Sequence, residues 1–534
     1  MSSQPGRYTP AHSPRLAEGW SLRALTPPSR LFGANGIRTG PDGRIYVAQV
    51  VGSQISAIDV TTGAIETIVP MGGAIVGPDD LVFDPEGNLY ATEFTEGRVA
   101  MRAPNGTVRV INGEMPCANP ITFHQGRLFA GECRPGARIM ELDRNGGAPR
   151  VLLADIPMAN AMEVGPDGLL YFPVMALNEI WRIPLEGGTP EKVAGDLGVP
   201  DSVKFDKNGQ IISTQVVSGQ VLRIDPRTGA KTVLADIAPG LDNVTFVGDR
   251  IFVSSISGQI NEILPEGRIA PLVPDGLHWP LGLAMGADGL LYIADGAFHY
   301  TLDTRDPGAK LKVAGMLFTP GSPGYTRGVA IAAPGELIVT TAKGEVARWR
   351  PAQQESEILA QGFDRLYGVA ITPGGAIVFA DAGTGRVMSL QSGTVEILAT
   401  GLHEPTGIAI APDGACLVAE TDKGRVLKLT GNKSETLLDG LQKPQGLLVR
   451  GNQLYIVDAA AKELIEFDLT TGKHQTIAAN LPIGAPTGVT PKPLRAVLPL
   501  AGFMGPFAGL TAAPDGTLYL SADAAGTVLA LEQK

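Results

Sequence analysis

The sequence predicts an all-β chain of two six-bladed β-propellers, each closed by its own N-terminal strand. Three observations carry this expectation. The composition is rich in turn formers and poor in charge. One hairpin phrase recurs twelve times. The residue type at one slot of that phrase changes between the first six copies and the last six. Of 534 residues, 68 are Gly and 42 are Pro, and only 18% are charged, as in chains of many short strands.

The phrase is a short apolar strand, a turn of the P-D-G or D-G kind, and a second apolar strand. It reads GIRTGPDGRIYVAQ from Gly36, DLVFDPEGNLYATE from Asp80, PITFHQGRLFAGE from Pro120, AMEVGPDGLLYFPV from Ala161, SVKFDKNGQIISTQ from Ser202 and NVTFVGDRIFVSS from Asn243. Six more follow: GLAMGADGLLYIAD from Gly282, GVAIAAPGELIVTT from Gly328, GVAITPGGAIVFAD from Gly368, GIAIAPDGACLVAE from Gly407, GLLVRGNQLYIVD from Gly446 and AGLTAAPDGTLYLSA from Ala508. Pro presets φ in these turns and Gly takes the positive φ that closes the hairpin. Two weaker strands follow each hairpin, as in ISAIDV (55–60) and IETIVP (65–70). Four strands at a period of roughly 43 residues are what a propeller blade requires.

Twelve blades exceed a single ring of the usual four to eight, so the count divides into two rings of six. Each half opens on a strand-like lead, WSLRALTP (20–27) and GRIAPLVP (267–274), and the last blade, ending TVLALEQK, lacks a fourth strand. The expectation is that each lead closes its own half. The domains are then a flexible N-terminal segment 1–17, a first propeller 18–266 and a second propeller 267–534. The first is expected to carry the metal and the chemistry. The second is expected to be a scaffold, lid or binding unit.

The residue just before each inner strand points at a spot shared by all blades of a ring. In the first half these residues are Asn35, Asp79, Asn119, Asn160, Asp201 and Asp242. In the second half they are Leu281, Arg327, Tyr367, Thr406, Gln445 and Phe507. Asn and Asp also precede strands as local backbone caps, but six in one half against none in the other exceed that explanation. Three carboxylates around one channel repel each other, and burial worsens the repulsion. Carboxylate and amide oxygens without thiol or imidazole form a hard donor set. Such a set favours Ca²⁺, then Mg²⁺ or Mn²⁺, with Zn²⁺ the softer outlier. Asp201 is the central candidate ligand.

A deeper channel layer reads Arg38, Val82, Thr122, Glu163, Lys204 and Thr245. Glu163 and Lys204, on adjacent blades, are expected to form an ion pair that is either structural or tunes a metal-bound water. The second strands return to the same mouth at Gln49, Glu93, Glu132, Gln215 and Ser254. Glu93 and Glu132 are candidate general acids.

Several function classes are excluded. A net charge of −11 argues against nucleic acid as a partner. There is no long apolar run to enter a membrane and no apolar leader, so a cytoplasmic location is expected. Three cysteines do not make a disulfide framework; Cys117, Cys133 and Cys416 are expected to be buried fillers. The six histidines show no zinc-peptidase spacing, and no nucleophile elbow or Walker loop occurs. The partner is a small-molecule substrate, and oligomeric state is not legible.

The phrase G-x-x-x-x-P-D-G-x-L-Y-V-A, repeated as blades, resembles the SMP-30/gluconolactonase family and its NHL-like relatives. The resemblance implies a six-bladed propeller with one divalent metal at the channel mouth, hydrolysing lactones and related esters. It implies metal ligands of the types Asn, Asn and Asp on successive inner strands, here Asn119, Asn160 and Asp201, and a role for Asp201 as base. It also implies a first-blade Glu. This chain has Asn35 there, so Asp79 or Asp242 would supply the charge. The expected activity is that of a metal-dependent lactone or ester hydrolase. The alternatives are a metal-assisted lyase or isomerase, or a non-catalytic binding platform. The insertion 479–505 precedes an inner strand and suits a lid or an interface.

Overall fold

The structure is a computed structural model describing residues 6–431 and 433–534. Its regular elements are strands and four short 3-10 turns. The strands form twelve antiparallel sheets, eleven of four strands and one of five. Each phrase of the repeat is the inner hairpin of one sheet. In the first blade Ile37–Thr39 pairs with Ile45–Gln49, followed by Gln54–Ile58 and Ile65–Val69. Gly43 closes that hairpin at a φ of +78°. The second strand, Ile45–Gln49, is buried along its whole length, whereas the outermost, Ile65–Val69, is largely open. A blade is covered on both faces by its neighbours, which is why the inner strands read as apolar runs and the outer ones do not.

The two rings of six are as expected. Their closure is not. The lead Trp20–Ala24 pairs with Thr527–Gln533, the last strand of the chain, and so supplies the fourth strand that the last blade of the second ring lacks. The other lead, Ile269–Val273, is the fourth strand of the sixth blade and pairs with Ile260–Ile263. The first ring is therefore built from six self-contained blades. It is inserted between the strand that completes the second ring and that ring's first blade. The compact units accordingly depart from the expected boundaries at 17/18 and 266/267. One comprises Leu31–Asp275 with Thr490–Pro499. The other comprises the N-terminal segment through Arg30, with Gly276–Val489 and Leu500–Lys534. Within the segment expected to be flexible, Arg15–Leu16 adds a fifth strand beside His474–Ala479, and the Arg7 guanidinium donates to the Asp523 and Ala524 carbonyls.

Ring one closes without a shared sheet because blade six meets blade one through side chains. Ser254 Oγ donates to the Asn35 carbonyl at 2.8 Å. Thr39 Oγ1 bonds Thr245 Oγ1 at 3.0 Å and donates to the Phe246 carbonyl at 2.6 Å. Ile37 and Val47 share one apolar cluster with Phe252 and Ile260. Among the described residues no helix is long and apolar enough to cross a membrane.

Candidate functional site

A recurring bulge positions the site. In blade two the pairing with Leu89–Glu93 jumps from Pro78 to Leu81, in blade three from Ala118 to Ile121, and in blade six from Leu241 to Val244. Two residues are thus released from the ladder where the strand reaches the channel, and a bulge of this kind re-aims side chains. The released residues include Asp79, Asn119 and Asp242. Isolated bridges at Ala159 and Pro200 place Asn160 and Asp201 equivalently.

These residues meet. Asn119 Nδ2 donates to Asp79 Oδ2 at 3.0 Å and to Asn160 Oδ1 at 2.9 Å. Asn160 Nδ2 donates to Asp201 Oδ2 at 2.9 Å. On the far side Asn35 Nδ2 lies 3.4 Å from Asp242 Oδ2. All but Asn35 are buried. The amides thus link one carboxylate to the next around blades two to five.

The carboxylates are held in conflict. Burial, with repulsion from Asp80, raises the Asp79 carboxyl to about 7. Burial, with repulsion from Asp79 and Asp80, drives Asp201 well above the usual carboxylate range. Asp242 is raised by burial and by Asp201, Asp79 and Asp80. Asp80 is a member of the site that the repeat analysis passed over. It is 1% exposed. Its Oδ1 accepts from its own Leu81 N at 2.8 Å and lies 3.5 Å from Asn243 Nδ2, and its Oδ2 accepts from Ile121 N at 3.1 Å. Gly36 makes room for it, since a Cβ there would come within 2.8 Å of Asp80 Oδ1. The available signal was the doubled acid in PDDLVF, both of whose carboxylates reach the site.

The deeper layer corrects an expectation. Lys204 and Glu163 are not a contact ion pair. The Glu163 carboxylate accepts from Phe205 N at 3.1 Å, and the Lys204 ammonium donates to the Met162 carbonyl at 3.4 Å. Burial, with repulsion from Arg38, lowers the Lys204 pKa to about 8 against the opposing pull of Glu163 and Asp80. Arg38 donates to the Leu81 and Ile121 carbonyls. Two cations therefore stand below a larger group of carboxylates.

Glu93 and Glu132 are not free to act as general acids. Both are fully buried. Glu93 takes the fork of Arg98 at 2.8 and 2.7 Å and accepts from Val76 N at 2.8 Å. Glu132 binds Arg138 and Arg134 and accepts from Arg138 N. The same strand position tethers the loop entering its blade throughout the chain: Gln49 accepts from Phe32 N, Gln215 from Gly198 N, Glu420 from His403 N, and Asp458 from Gln442 N and Lys443 N. These side chains are clasps on backbone. Glu132→Gln is expected to destabilise the first ring by about 2 kcal/mol, from the weakened bonds to two guanidinium groups. Thermal unfolding measures this, and substrate turnover per folded molecule stays unchanged.

The donors that could hold a cation are oxygens of Asp79, Asn119, Asn160, Asp201 and Asp242. Among the described residues, no group of three or more His, Cys, Asp or Glu stands at metal-binding spacing, so the amide oxygens are indispensable to any such site. One of them fits the role: Asn119 Oδ1 is buried without a hydrogen-bond partner. The donor set is less purely oxygen than its sequence suggested. Asn160 Nδ2 also lies 3.2 Å from Met175 Sδ. Cys133, whose thiol is raised by burial and by Asp79 and Asp201, borders the ring. All three cysteines are buried and free.

The second ring has another mouth. Leu281, Arg327, Tyr367, Thr406, Gln445 and Phe507 are all buried, and no carboxylate is among them.

No family model matches the chain, and no curated protein does. Among solved structures, a streptogramin B lyase is 20% identical over 52% of this chain and 96% of its own, with a TM-score of 0.38. A virginiamycin B lyase from Staphylococcus aureus is 17% identical over the same shares, with a TM-score of 0.39. A structure described as a putative gluconolactonase is 16% identical over 49% of this chain and 95% of its own, with a TM-score of 0.38. The chain is similar to these proteins in its all-β fold.

Proposed function

We propose that the mouth of the first ring binds a divalent cation, with Ca²⁺ best suited to its oxygen donors, and hydrolyses a lactone or related cyclic or activated ester. The observation that carries this reading is the buried, unpartnered Asn119 Oδ1, set between carboxylates that oppose each other's ionisation. An acceptor without a donor beside acids that outnumber their counter-charges is relieved by one positive ion. Asn119, Asn160 and Asp201 would hold it, with Asp79 or Asp242 adding charge. When bound, such an ion supplies Lewis acidity towards an ester carbonyl.

The remaining chemistry belongs to the chain. Asp201 accepts a proton from the attacking water as its oxygen bonds to the acyl carbon. The acyl–oxygen bond breaks, and the alkoxide takes that proton back from Asp201, which restores the base. A lyase reading rests on Lys204. Its pKa of about 8 would let it remove a proton from carbon. The two readings separate by product mass, since hydrolysis adds one water and elimination adds none.

The test is metal analysis of the purified chain, followed by turnover on a panel of lactones and esters before and after chelation. About one calcium per chain and turnover lost to chelator and restored by calcium are expected. Turnover indifferent to chelator would overturn the proposal.

A further inference from the structure

We propose that the mouth of the second ring is a binding site for a short aliphatic carboxylate, seated on Arg327. Arg327 is 2% exposed and among the largest fully buried side chains. Its Nη1 donates to the Leu366 carbonyl at 3.2 Å, and its Nη2 is buried without a partner. Among the described residues no carboxylate lies within ion-pair distance of it. The charged neighbours, Asp364 and Arg365, are of opposite sign and stand as a loose pair at 3.9 Å.

The Tyr367 ring lies under the guanidinium at 4.7 Å. A cation–π contact of this kind offsets less than an unpaired buried charge costs. The contact therefore orients the guanidinium without neutralising it. A planar fork with free donors is matched by a carboxylate.

The rest of the site limits the ligand's body. Gln445 Oε1 is fixed by Ala508 N at 2.8 Å. Below the mouth the channel holds a cavity of ≈ 40 Å³ lined by Gly328, Gly368 and Gly446, each next in sequence to a mouth residue, and by Val369, Leu447 and Phe507. A water occupies about 10–15 Å³ on this measure, so the space takes a chain of a few carbons and no sugar or nucleotide. The mouth is roofed: Phe503 lies against Arg365 at 5.5 Å, and Phe507 against Tyr367 at 5.9 Å.

The experiment is calorimetric titration of the full chain with butyrate, with butyramide as the neutral isostere and inorganic phosphate as a compact anion. Saturable butyrate binding is expected, weakened about 10- to 100-fold by Arg327→Met and at least tenfold weaker for butyramide and phosphate. Arg327→Met should also melt no lower than the ligand-free wild type, because an apolar isostere relieves an unpaired charge. In the wild type, butyrate should raise the second ring's melting temperature and butyramide should not. Butyrate that fails to bind, equal binding of butyramide or phosphate, or an Arg327→Met variant that melts well below wild type would each overturn the proposal.

Discussion

Asp201→Asn is expected to lower calcium affinity about 100-fold, since the charge count of the ligand set tunes such sites over orders of magnitude. Lactone turnover should fall at least as far, because the same side chain is proposed as the proton acceptor. The substitution should do the opposite to the metal-free protein. Asp201 is buried and raised by Asp79 and Asp80, and Asn keeps its shape while removing the charge. Calcium titration, turnover and thermal unfolding on one preparation measure the three effects. Lost affinity with raised metal-free stability is the signature of an ion site. Lost stability in the metal-free state would instead make Asp201 a structural acceptor for Asn160. An unaltered turnover rate would remove Asp201 from the chemistry altogether.

The parts of this molecule that were legible in its sequence are those fixed by local chemistry. The P-D-G turns and apolar runs gave the blades and their number, because each hairpin is specified by its own φ values and by burial on both faces. The slot from Asn35 to Asp242 was legible because one position per repeat faces the axis. What stayed hidden depends on partners far along the chain. Trp20–Ala24 pairs with Thr527–Gln533, and nothing in WSLRALTP says which open blade it completes. Glu93 and Glu132 looked like acids at a mouth, yet their oxygens are occupied by Arg98, Arg134 and Arg138. Those arginines sit only two to six residues away, so the clasp could have been inferred from the spacing E-x-x-x-x-R and E-x-R. Asp80 escaped because a bulge, not strand alternation, turns it into the channel.

The metal-free first ring should lose stability as pH rises from about 5 to 8, and Asp79→Asn should remove part of that loss. Asp79 has a folded-state pKa of about 7 against an ordinary 3.8. The folded chain therefore binds this proton more tightly than the unfolded one. Its contribution is complete below about pH 4 and is lost as pH climbs through 7. At pH 5 the wild-type carboxyl is neutral in the folded chain but already mostly ionised in the unfolded one, so Asn in its place should gain under about 2 kcal/mol there. At pH 8 the wild type must bear a charge among Asp80, Asp201 and Asp242, or forgo folding energy. Each pKa unit corresponds to about 1.4 kcal/mol, so the variant should gain up to about 4 kcal/mol there, or roughly 8–16 °C in a unit of this size. Calcium offers the wild type another way out, because the ion neutralises the ionised ring. Adding it at pH 8 should raise the wild-type transition towards that of the variant and move the variant less. Calorimetry of both proteins at pH 5 and pH 8, with and without calcium, reads every term. A gain in Asp79→Asn that is the same at both pH values would mean that charge at the mouth does not govern this ring. The cation proposed to sit there would then lose its physical reason.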